Sequence, residues 1–312
     1  EYLLEVSDHL LRGGDDFIYR MEVTPPRPAL TLSLPERVRY KPITISVPQG
    51  NRMAVMVNVR REALSSELSL LFDGMPAGIA ASTTTIPAGQ SSVPVVFASA
   101  ADAQVAGSLV ALRGEGTKAD ERITGILQQR TMLVRGQNNR DVWGHDAQRV
   151  AMAVTESVPF SLTIEPSKAP IVPNGSKKLT VIADRAEGFD EPIAIALLYN
   201  PPGIGSSAAM KIAGDKDRAV IPLTANGKAK PGTWPLVVIG KAKVGDGNVE
   251  VATEQAKLQI DDVYVTAAME KSAGELGAET VVSVRLDQKR SFDGTGTLKL
   301  LGLPAKTSLV DD

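Results

Sequence analysis

The sequence predicts an all-β chain of sandwich domains in tandem, and three observations predict it. Apolar residues alternate with polar or small ones along most of the 312 residues, the period of a half-buried strand. Turn-forming residues punctuate those runs. Several of these turn motifs recur at one fixed spacing.

The alternation is clearest at Leu30, Leu32 and Leu34; at Ile43, Ile45 and Val47; and at Met53, Val55, Val57 and Val59. It returns at Phe160, Leu162 and Ile164, at Ile193, Ile195 and Leu197, and at Ala256, Leu258 and Ile260. Helical periodicity is weak, although residues 1–10 and 61–71 fit either period. The runs end at Pro48-Gln49-Gly50, Pro87-Ala88-Gly89, Pro173-Asn174-Gly175 and Pro231-Gly232. Proline presets one turn dihedral and glycine accepts the positive φ that follows.

The spacing is the most informative feature. Val47-Pro48-Gln49-Gly50 recurs as Val172-Pro173-Asn174-Gly175, an offset of 125. Met75-Pro76-Ala77-Gly78-Ile79 recurs as Asn200-Pro201-Pro202-Gly203-Ile204, and Ala106-Gly107-Ser108 as Pro231-Gly232-Thr233, both at the same offset. A third copy begins near Val263: Gly277 follows Gly175 by 102 and Pro304 follows Pro201 by 103. The repeat is therefore about 100 residues, the size of an immunoglobulin-like sandwich with its own core. The first copy carries about 22 extra residues relative to this, placed around 125–149, a polar stretch with Asn138, Asn139, Arg140, Trp143 and His145. The expected organisation is residues 1–24, a repeat over 28–158, a second over 159–261, and a partial third over 263–312. Thr24-Pro25-Pro26-Arg27-Pro28 reads as a stiff linker. Consecutive copies are joined by almost no chain, so the array is expected to be extended.

Composition narrows the function. Basic and acidic residues number 34 and 36, with no basic stripe, so nucleic acid and anionic membrane are poor partners. Cysteine is absent, which removes disulfides, thiol catalysis and cysteine-ligated metals. No apolar run approaches the roughly 18 residues of a spanning helix. The chain opens on Glu1 and stops inside a repeat, so it reads as a segment of a longer protein.

Catalytic motifs are missing. The two histidines, His9 and His145, fall in different expected domains, which disfavours a shared zinc site or a triad. Gly114-Glu115-Gly116-Thr117-Lys118 lacks phosphate-loop spacing. Asp15-Asp16, Asp215 with Asp217, Asp246, and Asp261-Asp262 each offer too few oxygens for calcium, which needs six or more. No metal, cofactor or catalytic residue is expected. Trp234 opens a strand and reads as a core or edge residue. Trp143 lies among amides and charges, which suits contact with a protein or sugar. Asn138, Asn139, Arg140, Trp143 and His145 form the candidate contact loop.

Residues 2–8, Tyr-Leu-Leu-Glu-Val-Ser-Asp, and 12–23, Arg-Gly-Gly-Asp-Asp-Phe-Ile-Tyr-Arg-Met-Glu-Val, resemble the closing strands of the bacterial pre-peptidase C-terminal domain. The following repeats resemble the immunoglobulin-like domains of large exported bacterial proteins. The resemblance implies an exported location and a spacing, adhesive or accessory role without catalysis, with other domains of the same protein or a surface protein or polysaccharide as partners. The alternative reading is a carbohydrate-binding accessory domain of a secreted hydrolase or peptidase.

Overall fold

The computed structural model describes the chain except residues 1, 2, 4, 11, 19, 167, 168, 209, 276, 293, 294, 296–299, 301, 304, 309, 311 and 312. The described residues are organised around two separate hydrophobic cores, one drawn from Leu30 to Val154 and one from Phe160 to Ile260.

In the first sandwich, β1 (Ala29–Ser33), β3 (Arg52–Glu62), β7 (Ser92–Ser99) and β5 (Ile79–Ala81) pair in that order. Facing them, β4 (Leu68–Asp73), β8 (Ala106–Lys118), β12 (Arg149–Thr155) and β2 (Thr44–Pro48) form the second sheet, and β6 (Thr85–Ile86) pairs with β4. The two-residue period sets what is buried: Met53, Val55, Val57 and Val59 point inward from β3, as do Val150, Met152 and Val154 from β12. Phe97 fills the centre at 1% exposure, with Phe72 edge-on at 5.3 Å. Pro35 and Pro42 lie between β1 and β2, where the chain leaves one sheet for the other; proline supplies no ladder donor. β2 then runs parallel to β12. Two packed sheets in this order make an immunoglobulin-like sandwich.

The second sandwich repeats the plan. β13 (Phe160–Ile164), β14 (Ser176–Arg185), β18 (Arg218–Ala225) and β16 (Ile204–Ser206) face β17 (Met210–Ile212), β15 (Ile193–Leu197), β20 (Val238–Val244) and β21 (Gly247–Ala252). β19 (Gly232–Leu236) pairs with β22 (Ala256–Ile260), so that β19–β20 and β21–β22 are two long strands, each interrupted once. The parallel bridge between Ile171 and Ile260 stands where β2 and β12 pair in the first sandwich. The chain is thus a tandem of immunoglobulin-like β-sandwiches.

The repeated glycine turns are equivalent. Gly78 and Gly203 have φ of 85° and 82°. In each, the next isoleucine N–H donates to the proline carbonyl two residues before the glycine: Ile79 to Pro76 and Ile204 to Pro201. In each, the glycine carbonyl accepts one further bond, from Ala100 or Asn226. The turn before β14 differs by one residue: positive φ falls on Gly50 in the first repeat and on Asn174 in the second.

Register locates the extra residues of the first repeat. Arg149 opposes Ala111 on β8, and Ala256 opposes Leu236 on β19. Ala111 and Leu236 differ by 125, but Arg149 and Ala256 by 107, so 125 − 107 = 18 residues separate the two versions of the last strand. In the second sandwich that strand is interrupted only by 253–255, between β21 and β22. In the first, β9 (Glu121–Leu127) leads instead into a hairpin of β10 (Gln129–Arg135) and β11 (Asp141–Ala147) before β12. β9 pairs antiparallel with β8 and parallel with β1, which ties the two sheets together along this edge.

No strand forms among the described residues of 1–28, although closing strands were expected over 1–24. An isolated hairpin is marginal without a sheet to cover it, and Val6, Phe17, Ile18 and Val23 stay exposed. The motif residues Tyr2, Leu4 and Tyr19 lie outside the described residues, as do Pro304, Leu309, Asp311 and Asp312. Residues 263–312 contribute one described hairpin, β23 (Val265–Met269) with β24 (Val284–Gln288).

The sandwiches do more than follow one another. Ala54 and Val96, a cross-strand pair on the outer face of β3 and β7, are buried against Val237 and Ala252 of the second sandwich, with Leu198 and Ile239 beside them. Asn51 donates to the Phe160 carbonyl at 2.8 Å, and Thr83 to Gln255 at 2.8 Å. Arg52 pairs with Glu254. The contact is local. The accessible surface is 20878 Å², against about 12,500 Å² for a compact monomer of this mass. The exposed residues of 1–28 and 263–312 contribute much of that excess, and the two sandwiches overlap at the joint.

Candidate interaction site

The five residues of the candidate contact loop fall on one element, the β10–β11 hairpin. Asn138 and Asn139 make its tip, at positive φ of 56° and 64°. Asparagine tolerates that region better than most residues because its short amide bonds locally. Arg140 follows the tip, and Trp143 and His145 lie on β11 opposite Val134 and Thr131.

Charge and packing hold the hairpin in shape. Arg130 donates from Nε to Asp141 at 2.8 Å and from Nη1 to Asp146 at 2.7 Å. Gly144 leaves the room: a Cβ there would meet the Thr131 carbonyl at 2.5 Å and the Arg130 guanidinium at 3.1 Å. At the base, Gln129 is buried and its side-chain carbonyl accepts the Leu34 N–H at 2.9 Å. Near the tip, the Arg135 side chain is only 5% exposed. It donates to Asn139 Oδ1 at 2.7 Å, pairs with Glu36 and lies over the Tyr40 ring at 5.2 Å.

What the hairpin offers outward is apolar. Trp143 is 60% exposed, its cross-strand partner Val134 is exposed beside it, and Leu133 and Val142 are exposed on the same hairpin. Such grouping on a projecting ribbon marks a contact surface better than scattered apolar residues do. Asp141 stood beside Trp143 in the sequence reading, but Arg130, Arg135 and the valines were not singled out. Only the Arg130/Asp146 and Val134/Trp143 cross-strand pairing reveals them, and that pairing needs the register.

Hydrogen bonds from Arg130, and then the charges of Arg130 and Arg135, hold the Asp141 carboxyl below its ordinary range against partial desolvation. A depressed carboxylate stabilises the folded form above its unfolded value, near about 3.9, and loses that contribution as pH falls through the folded value. Hairpin order is therefore expected to be constant from neutral pH to about pH 4 and to fall below it. Trp143 emission, followed in a Trp234→Phe background, checks this; a transition near neutrality would contradict it.

The other candidates take structural positions. Trp234 packs against the second core and donates from Nε1 to the Lys230 carbonyl at 3.0 Å. Asp215 pairs with Lys216, and Asp217 with Arg218. Asp261 accepts from Tyr264 and Gln259. Asp8 accepts from Arg12, four residues on, at 3.1 Å, which leaves His9 in a local turn. Among the described residues no group of three or more histidines and carboxylates converges. Thermal melting is expected to be the same with and without EDTA, whereas a fall of roughly 10 °C or more would reveal a linked metal.

Against solved structures, the chain is similar to titin domains Z1Z2, crystallised in complex with telethonin, at 12% identity and a TM-score of 0.21, covering 78% of this chain and 100% of that one. It is similar to surface layer protein SbsC, domains 4–9, at 15% identity and a TM-score of 0.25, covering 79% of this chain and 34% of that one. It is also similar to the fibronectin(III)-like modules of Clostridium thermocellum CbhA, at 11% identity and a TM-score of 0.21, covering 74% and 94%. No protein-family model and no curated protein sequence matches the chain. The immunoglobulin-like class rests on the strand pairing itself, and no helix among the described residues is long and apolar enough to cross a membrane.

Proposed function

We propose that this chain is a non-catalytic structural and interaction segment of an exported bacterial protein, in which tandem sandwiches space the flanking parts and the β10–β11 hairpin makes contact with a partner. The observation that carries the reading is two independent cores fixed to each other by a packed joint. A spacer needs that property, and an enzyme cleft does not. The hairpin adds an exposed tryptophan with amides and charges around it, a composition suited to another domain of the same protein, a surface protein or a polysaccharide. In this reading residues 1–24 close a preceding pre-peptidase C-terminal-like sandwich, and residues 263–312 belong to a third immunoglobulin-like repeat. Small-angle scattering on the monomer tests the spacer role. A radius of gyration on the order of 25–35 Å is expected, and a value near the compact figure of about 20 Å would defeat it.

A further inference from the structure

The loop that carries the chain from β1 to β2 touches two elements that do not otherwise meet through it. Glu36 pairs with Arg135 of the hairpin. The next residue, Arg37, grips Glu250 on β21 of the second sandwich, with Nη2 donating to Oε2 at 2.8 Å and Nη1 2.6 Å from Oε1. The Nη2 bond is the one directed hydrogen bond of this pair, and Oε1 accepts none. Lys241 supports the same carboxylate at 3.0 Å. The loop has its own reasons to be held. Leu34, at its start, is buried and anchored to Gln129 at the hairpin base. Tyr40, near its end, lies under Arg135 at positive φ.

We infer that the consecutive residues Glu36 and Arg37 form a relay that couples the pose of the β10–β11 hairpin to the docking of the second sandwich. The hairpin joins the first sandwich only at its two ends, through β9 and β12, and its two strands pair only with each other. Its base is held by Gln129, and its tip by side-chain contacts of Arg135. Those contacts run through a loop whose other hold is on the second sandwich. Release of Glu250 frees Arg37 and weakens the hold on Glu36, one of the three contacts that seat Arg135. A pull on the second sandwich reaches the hairpin by the same route. Such coupling would let the array report strain, or the seating of its next domain, at a contact surface on the first sandwich. It stands whatever the hairpin binds, so it can fail while the contact reading survives, and the reverse.

The chain has no cysteine, so paired spin labels can be placed without background. Cysteines replacing exposed Val142 on the hairpin, Glu67 on the first sandwich and Lys243 on the second give three pairs for pulsed dipolar distance measurement. The parent is expected to give a single narrow distribution for each. The decisive pair is Val142 with Glu67, which lies wholly within the first repeat. Glu250→Gln, a change in the other sandwich, is expected to broaden the distribution of that pair, and Arg37→Ala to do the same. Glu36→Ala is expected to broaden it while leaving the Glu67–Lys243 pair narrow. A Val142–Glu67 distribution as narrow in Glu250→Gln and Arg37→Ala as in the parent would overturn the relay.

Discussion

Gly203→Val is expected to destabilise the second sandwich by about 3 kcal/mol or more, enough to remove much of the stability of a domain of this size. Two costs add. The glycine sits at φ of 82°, where a β-branched residue is strained by about 1–3 kcal/mol. A Cβ would also lie 2.4 Å from the Ala229 Cα and 2.6 Å from its nitrogen, and backbone cannot move aside as a side-chain tip can. Gly78 gives an internal comparison. Its φ is 85°, but its Cβ would meet the Ala103 methyl at 2.6 Å and backbone only at 3.3 Å. Gly78→Val is therefore expected to cost less in the first sandwich than Gly203→Val costs in the second. Urea unfolding of the two variants, followed by circular dichroism, checks the order; equal midpoints for parent and Gly203→Val would refute the argument.

Phe97→Ala is expected to cost the first sandwich about 3–5 kcal/mol, the usual range when a buried aromatic is truncated. Phe97 is almost wholly enclosed, and the change leaves Phe72 without its edge-on partner. Strands β3 and β5 flank it and cannot close the space without breaking their register with β7. Because the cores are separate, the loss is expected in one transition of a two-step calorimetric melt. The first sandwich should melt lower by roughly 10 °C or more, while the transition of the second, probed by Trp234 emission, moves little. A single transition that shifts as a whole would mean that the joint welds the cores into one cooperative unit.

The strands and their inward faces were legible in the sequence because a half-buried strand writes its own period. Leu30, Leu32 and Leu34, or Met53 through Val59, are buried where alternation places them. The glycine turns were legible for a similar local reason: positive φ after a proline leaves few residue choices. The hairpin residues Asn138, Asn139, Arg140, Trp143 and His145 were found as a polar interruption of the repeat, yet their chemistry was not. Arg130 meets Asp141 and Asp146 only because β10 and β11 pair in one register with a bulge between Met132 and Val134. The joint was hidden altogether. Ala54 and Val96 lie at outward-facing positions of an amphipathic pattern, and a small apolar residue there looks like ordinary surface until a neighbour covers it.

The interruption in the last strand of each sandwich has a consequence for how such arrays can be assembled. At that one point the second repeat has three residues, and they bear on its predecessor through Glu254 and Gln255. At the same point the first repeat has a projecting ribbon. Both cores close around the interruption regardless of what fills it, and lengthening the insert raises the closure cost only slowly. The position behaves as a single port on each unit. In this chain the second unit uses its port to grip the preceding unit, and the first uses it to grow a protrusion. Joint and outward contact thus draw on one and the same short segment, whose length differs by 18 residues between the two units.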